Sequence, residues 1–173
     1  MFSLQQAKVV LEHINVRTER HGDEKEPAAD LKIRMNTGNE ILSEFHPTLR
    51  SMAYKSDEGQ TEIEGVEPAF SVRRFGDLIE RLRLKYELVG ADVSIEFGTG
   101  KAASNIDMQT VDVNGFNVEL MEGGSVVTMF RVQCRPSGEQ IKRLYELLGH
   151  EITMTVTPAA EKQGSLGLGQ EAA

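Results

Sequence analysis

The chain has 173 residues, 39% of them hydrophobic and 27% charged. That is the composition of a one-domain soluble globule, and it excludes collagen-like, wholly disordered and membrane-helix classes. Asp and Glu outnumber Lys and Arg by 27 to 19, for a formal charge of −8 at pH 7, so a uniformly basic nucleic-acid coat is excluded while a local basic patch is not. The single cysteine, Cys134, forbids an internal disulfide and fits a reducing compartment. Met1 to Leu11 carry no basic stretch followed by an apolar leader, so a cytoplasmic location is expected, with no membrane association.

Alternation of apolar and polar residues, the pattern of a half-buried strand, recurs along most of the chain. An extended opening segment, Lys8 to Val16, leads into Arg17-Thr-Glu-Arg-His-Gly-Asp-Glu-Lys-Glu-Pro27, which predicts a solvated connection punctuated by Gly22 and Pro27. Ala29, Leu31, Ile33 and Met35 alternate with Asp30, Lys32 and Arg34 and predict a neighbouring strand. Thr37 and Glu40 have capping-box spacing, which predicts a short helix to about Phe45. Pro47 suits the first turn of a second helix with Leu49, Met52 and Ala53 inward. Residues 56–67 hold Asp57, Glu58, Glu62, Glu64 and Glu67 without a Lys or Arg, the composition of a mobile acidic loop.

In the second half, Leu82, Leu84, Tyr86 and Leu88 alternate with Arg81, Arg83, Lys85 and Glu87. Val93, Ile95 and Phe97 then alternate with Asp92, Ser94 and Glu96. A hairpin folded about Val89-Gly90 sets Leu84 opposite Ile95 and Arg83 opposite Glu96. Asn114-Gly115 is a strong hairpin signal and predicts a turn between strands at 106–113 and 116–121. After Glu122-Gly-Gly-Ser125 comes a strand with Thr128, Phe130, Val132 and Cys134 on one face; a bulge is predicted there, placing Phe130 beside Val118 and Val132 beside Phe116. Ser137 and Gln140 form a capping box, Ile141, Leu144, Tyr145 and Leu148 recur at helical spacing, and Gly149 is placed to end the helix. Ile152, Met154 and Val156 make a last strand before Pro158.

The expected fold is therefore mainly β, as an antiparallel β-sandwich or a partly open OB-like barrel. Two short helices follow the second strand and one amphipathic helix precedes the last. Residues 1–158 read as one domain and 159–173 as a disordered tail.

Catalytic patterns are weak. Gly98-Thr-Gly-Lys101 lacks the upstream glycine and trailing Ser or Thr of a phosphate loop and precedes a strand, so it reads as a plain hairpin loop. His13, His21, His46 and His150 have no metal-ligand spacing, and His21 with Asp23 and Glu24 reads as a solvated charge cluster. Cys134 shares an alternation with Phe130 and Val132 and reads as a small buried hydrophobe. No metal, cofactor or catalytic residue is expected, and the chain is not read as an enzyme.

Charge distribution carries the functional reading. Arg73, Arg74, Arg81, Arg83 and Lys85 stand against Asp77 and Glu80, and Arg131, Arg135, Lys142 and Arg143 against Glu139. Basic strands with aromatic neighbours suit single-stranded DNA, with cations following phosphates and rings stacking on bases. The candidate contacts are Arg73, Arg74, Arg81, Lys85, Arg131 and Arg135, with Phe75 as the stacking ring; Tyr86 and Phe130 lie on the apolar side of their strands and read as core. The rival reading is a protein-interaction module, because an acidic surface imitates nucleic acid towards a basic partner. An exposed sheet edge leaves a homo-oligomer open.

Over Arg17 to Lys25 running into Ala29 to Met35, over Glu122-Gly-Gly-Ser-Val-Val-Thr-Met-Phe-Arg-Val-Gln133, and over Gly138 to Pro158, the chain resembles a family of small proteins of tailed bacteriophages and prophages. The likeness takes in most of the chain apart from the acidic loop and the tail, and brings no catalytic residues with it. Genes of this family lie among early-region replication and recombination genes. The resemblance thus implies a non-enzymatic accessory acting in the host cytoplasm on single-stranded DNA or, in the rival reading, on a host defence complex.

Overall fold

The computed structural model describes residues 1–21, 24–57, 70–76, 78–98 and 104–159, with only the backbone described at 20, 21 and 24–26. In chain order the strands and helices are β1 (Leu4–His21), β2 (Glu24–Gly38), α1 (Leu42–Phe45), α2 (Leu49–Ala53), β3 (Tyr54–Ser56), β4 (Phe70–Arg73), β5 (Arg81–Arg83), β6 (Leu88–Ile95), β7 (Ile106–Leu120), β8 (Ser125–Cys134), α3 (Gly138–Glu146) and β9 (Glu151–Thr157). β1 pairs with β2 and β9, β2 with β8, β8 with β7, β7 with β6, and β6 with β9, all antiparallel. Six strands therefore close on themselves. The fold is mainly β, as expected, and of the two expected architectures it is the OB-like barrel that forms, fully closed by the β7–β8 pairing. β5 adds to β7 beside this barrel, and β3–β4 make a separate ribbon.

Closing so few strands requires sharp bends, which bulges supply. β7 shows how the sequence encodes them. Its buried residues are Ile106 and Met108, then Val111 and Val113, then Phe116, Val118 and Leu120. Twice, three positions separate successive inward side chains where a regular strand has two. Against β6 the slip falls between Met108 and Val111, with Thr110 at φ +54°; against β8 it falls between Asn114 and Asn117, with Gly115 at φ +69°.

Asn114-Gly115 is thus a bend inside one continuous strand, and the expected hairpin turn does not form. The left-handed backbone that glycine adopts freely steers β7 from β6 to β5 while β8 stays paired along its other edge. The β7–β8 turn lies instead at Met121–Gly124, where the Met121 N–H donates to the Ser125 carbonyl at 3.1 Å. It sets Val118 opposite Thr128, not opposite Phe130; Phe130 stacks on Phe116 with ring centroids 5.5 Å apart. The expected hairpin about Val89-Gly90 is also replaced. Leu82 pairs with Val118, Arg83 with Asn117 and Ile95 with Ile106, because β7 is long enough to hold β5 and β6 in turn along one edge. Gly90, at φ +72°, sits in a bulge of β6.

The β1–β2 ladder runs from Val10 opposite Arg34 to His21 opposite Glu24, so most of the expected connection at 17–27 is a continued ribbon. Pro27 is tolerated because β8 begins to pair with β2 only at Ala29. Gly22 lies outside the described residues, as do 58–67 of the acidic loop, 99–103 and the tail from 160. Thr37 still belongs to β2, opposite Val126, and makes no capping box; the 3-10 turn Asn39–Ile41 starts from Gly38 without a side-chain cap. α1 ends at Phe45 as expected. Pro47 stands ahead of the α2 N-cap, Thr48, rather than in the helix's first turn. Ala53 is buried, whereas Met52 is 53% exposed rather than inward. In α3 the capping box is made: Gln140 N–H donates to Ser137 Oγ at 3.2 Å and Ser137 N–H to Gln140 Oε1 at 2.9 Å. Gly149, at φ +81°, closes the turn after it.

The barrel encloses Leu11, Leu31, Ile33, Val113, Val132 and Met154. Phe45 of α1 joins Phe2 and Phe116 at centroid distances of 5.3 and 5.0 Å, and Leu144 of α3 packs into the same core. A second cluster gathers Leu42, Ala53, Tyr54, Leu120 and Val126. The buried Tyr54 hydroxyl lies 2.9 Å from both the Met121 and Ser125 carbonyl oxygens and donates between them, fastening the β3–β4 ribbon to the β7–β8 turn.

Candidate nucleic-acid interface

On the outer wall of the barrel β5, β7, β8, β2 and β1 lie side by side. Side chains alternate across a sheet, so the positions between the core residues face solvent. They form a shallow groove of about 540 Å³ that includes His13, Lys32, Arg81, Arg83 and Arg131. Register places four of them in two rungs, and sets Arg81 opposite Glu119. His13 is opposite Lys32, Lys32 opposite Arg131 and Arg131 opposite Asn114; Arg83 is opposite Asn117, Asn117 opposite Met129 and Met129 opposite Arg34.

These cations are only partly neutralised. Lys32 lies 3.3 Å from Glu12, and Arg81 lies 3.1 Å from Glu119. Arg131 donates through Nε and Nη2 to the neutral Asn114 Oδ1, at 3.0 and 2.9 Å. No carboxylate among the described residues pairs with Arg83. Asp30, the carboxylate in the groove, lies 2.5 Å from Arg17. Asp30 chiefly, with Glu19, drives the Arg17 pKa further up by hydrogen bonding, so that pair holds its charges to itself.

Of the seven residues the sequence singles out, Arg81 and Arg131 meet in this groove. Lys85 is exposed two residues beyond Arg83 on the same alternation. The others are placed elsewhere. Arg73 donates to Glu122 at 2.7 Å, which raises its pKa. Arg74 Nε donates to the carbonyls of Ser51 and Tyr54 at 2.6 and 3.3 Å, tying down the end of α2. Phe75 is about half exposed and edges a small apolar slot with Met52, Ile79 and Leu82. Arg135 lies 3.8 Å from Glu19, in a polar cleft with Arg17 and Asp112. The two basic islands therefore converge in part, and residues outside them, Lys32 and His13, complete the patch. Alternation marked Lys32 as outward-facing, but only the β2–β8 register brings it to Arg131.

Cys134 is buried, with Sγ 3.5 Å from the Ala29 carbonyl oxygen, and desolvation pushes its thiol pKa up to about 12. Such a thiol is held in its unreactive form. Among the described residues no helix is long and apolar enough to cross a membrane. No family model, curated protein or solved structure matches the chain.

Proposed function

We propose that the protein is a cytoplasmic, non-enzymatic accessory of DNA replication or recombination that binds single-stranded DNA along the outer-wall groove. The observation that carries this reading is the direct opposition of Lys32 and Arg131 across β2 and β8. Like charges at that spacing weaken a sheet, and a bound anion converts the repulsion into attraction. Arg83 and Arg81 extend the positive field across β7, and Lys85 continues it. The groove is open and shallow, a form suited to a flexible polyanion rather than to an enclosed small ligand.

Phe130, the ring nearest the groove, is buried, so affinity rests chiefly on phosphates and falls steeply with salt. The likeness to early-region phage proteins points to the same role. A pair of double variants tests the reading by fluorescence anisotropy of a labelled oligonucleotide. Lys32→Ala with Arg131→Ala weakens binding at least about tenfold and flattens its salt dependence, whereas Arg73→Ala with Arg74→Ala leaves both nearly unchanged. The reverse pattern refutes the assignment of the groove.

A further inference from the structure

We infer that the floor of the groove seats an unpaired base over Met129 and beside Asn117, an inference that rests on the groove binding nucleic acid as proposed above. Two asparagines lie on the outer face of β7, and their side chains are in opposite states. Asn114 is fully engaged: it accepts from Arg131 and donates to Glu87 at 3.2 Å and Gln133 at 2.7 Å. Asn117, facing the groove, has its Oδ1 shielded from solvent with no hydrogen-bond partner among the described residues. A shielded acceptor without a donor is disfavoured in a folded chain, so a ligand that brings a donor to this side chain is favoured.

The neighbours of Asn117 say what that is. Met129 lies opposite it on β8, and Arg83 opposite it on β5. A thioether offers a polarizable apolar surface favoured against flat aromatic rings, and the guanidinium and the Lys32–Arg131 pair stand where flanking phosphates are wanted. The combination fits a nucleobase lying on Met129 with its edge to Asn117. Rotation of the partly exposed Asn117 side chain turns Oδ1 towards the groove, where it accepts from a ring N–H or exocyclic amine of the base, while the amide nitrogen donates in return to a base acceptor. A phosphate offers neither the flat ring nor, when ionised, the donor. Duplex DNA has its pairing edges occupied and is a poorer ligand for this seat.

The test uses three labelled DNA ligands of equal length: an ordinary single strand, a strand whose residues are abasic, and a duplex. The wild-type protein binds the ordinary strand about tenfold more tightly than the abasic one, and more tightly than the duplex. Asn117→Ala and Asn117→Ser, checked for folding by thermal melting, bring the ratio of ordinary to abasic affinity close to one. They leave the affinity for the abasic strand and its salt dependence as in the wild type. Equal binding of ordinary and abasic strands by the wild type, or a preference that survives both substitutions, overturns the base seat while the groove stands. Absence of binding to any of the three overturns the groove and the seat together.

Discussion

Lys32 and Arg131 face each other directly across the β2–β8 ladder, two exposed cations on adjacent strands. Such a pair lowers the stability of a sheet by tenths of a kcal/mol up to about 1 kcal/mol. Lys32→Gln removes the repulsion and also removes a half-exposed ion pair with Glu12, itself worth at most about 1 kcal/mol. Urea denaturation is expected to show a net change within about 0.5 kcal/mol of wild type, while the salt slope of oligonucleotide binding falls by about one. A large loss of stability with unchanged binding would assign Lys32 to the fold instead.

Thr110 and Gly115 carry the two bends of β7, one on a β-branched residue and one on glycine. A left-handed conformation is unfavourable by about 1–2 kcal/mol for an L-residue, against about 0.5–1 kcal/mol for a glycine within a strand. Thr110→Gly therefore leaves stability unchanged or raises it by up to about 1 kcal/mol. Gly115→Ala lowers it by about 1 kcal/mol through backbone strain, since a new Cβ would sit 3.8 Å from the Arg131 Cβ, an ordinary contact. Chemical denaturation of the two variants checks both signs.

Gly124 is constrained twice, by φ +87° and by the Phe70 carbonyl oxygen, which would lie 2.7 Å from an added Cβ. The buried Asn39 side chain binds the same ribbon, its amide donating to the Phe70 carbonyl while its Oδ1 accepts from Arg50 at 2.7 Å. Gly124→Ala is expected to destabilise by about 2 kcal/mol or more, beyond the strain contribution alone. Tyr54→Phe, which takes away the donor shared by Met121 and Ser125, costs about 1 kcal/mol. Thermal melts that leave either variant at the wild-type midpoint would show that the ribbon is not fastened there.

The Cys134 thiol, raised from its ordinary value near 9.0 to about 12 by burial, gives a pH dependence of defined sign. Between those two values the unfolded chain loses the thiol proton and the folded chain keeps it, so this contribution is fully present below about 9 and declines as pH rises towards about 12. Cys134→Ala is expected to lessen the loss of stability across that window. In the native protein at pH 8 a disulfide reagent modifies the thiol only as fast as the barrel opens, and in denaturant modification is immediate.

The alternation of strands was legible from the sequence because period two is a local property; β2, β8, β9 and α3 all carry their signatures in consecutive residues. Partner choice was not. The pattern of 82–97 satisfies a hairpin as well as it satisfies two segments sharing the edge of β7, and only the closed barrel selects the second. The Asn114-Gly115 pair has the backbone freedom of a turn and that of a bulge alike. The shift in phase from Val113 to Phe116 was the available sign that the strand continues, since a strand with one inserted residue returns its apolar side chains to the same face. The site was half legible for the same reason. Arg81 and Arg131 could be seen as outward-facing cations, but the proximity of Lys32 and the isolation of Asn117 depend on the β2–β8 and β5–β7 registers, which no local pattern specifies.

The most direct measurement is titration of the wild-type protein with a labelled single-stranded oligonucleotide between about 50 and 200 mM salt. Three or four phosphates held by Lys32, Arg81, Arg83 and Arg131 predict an affinity that falls with salt with a log–log slope of about −2 to −3. Absence of binding at micromolar protein in low salt, or an affinity indifferent to salt, would contradict the account.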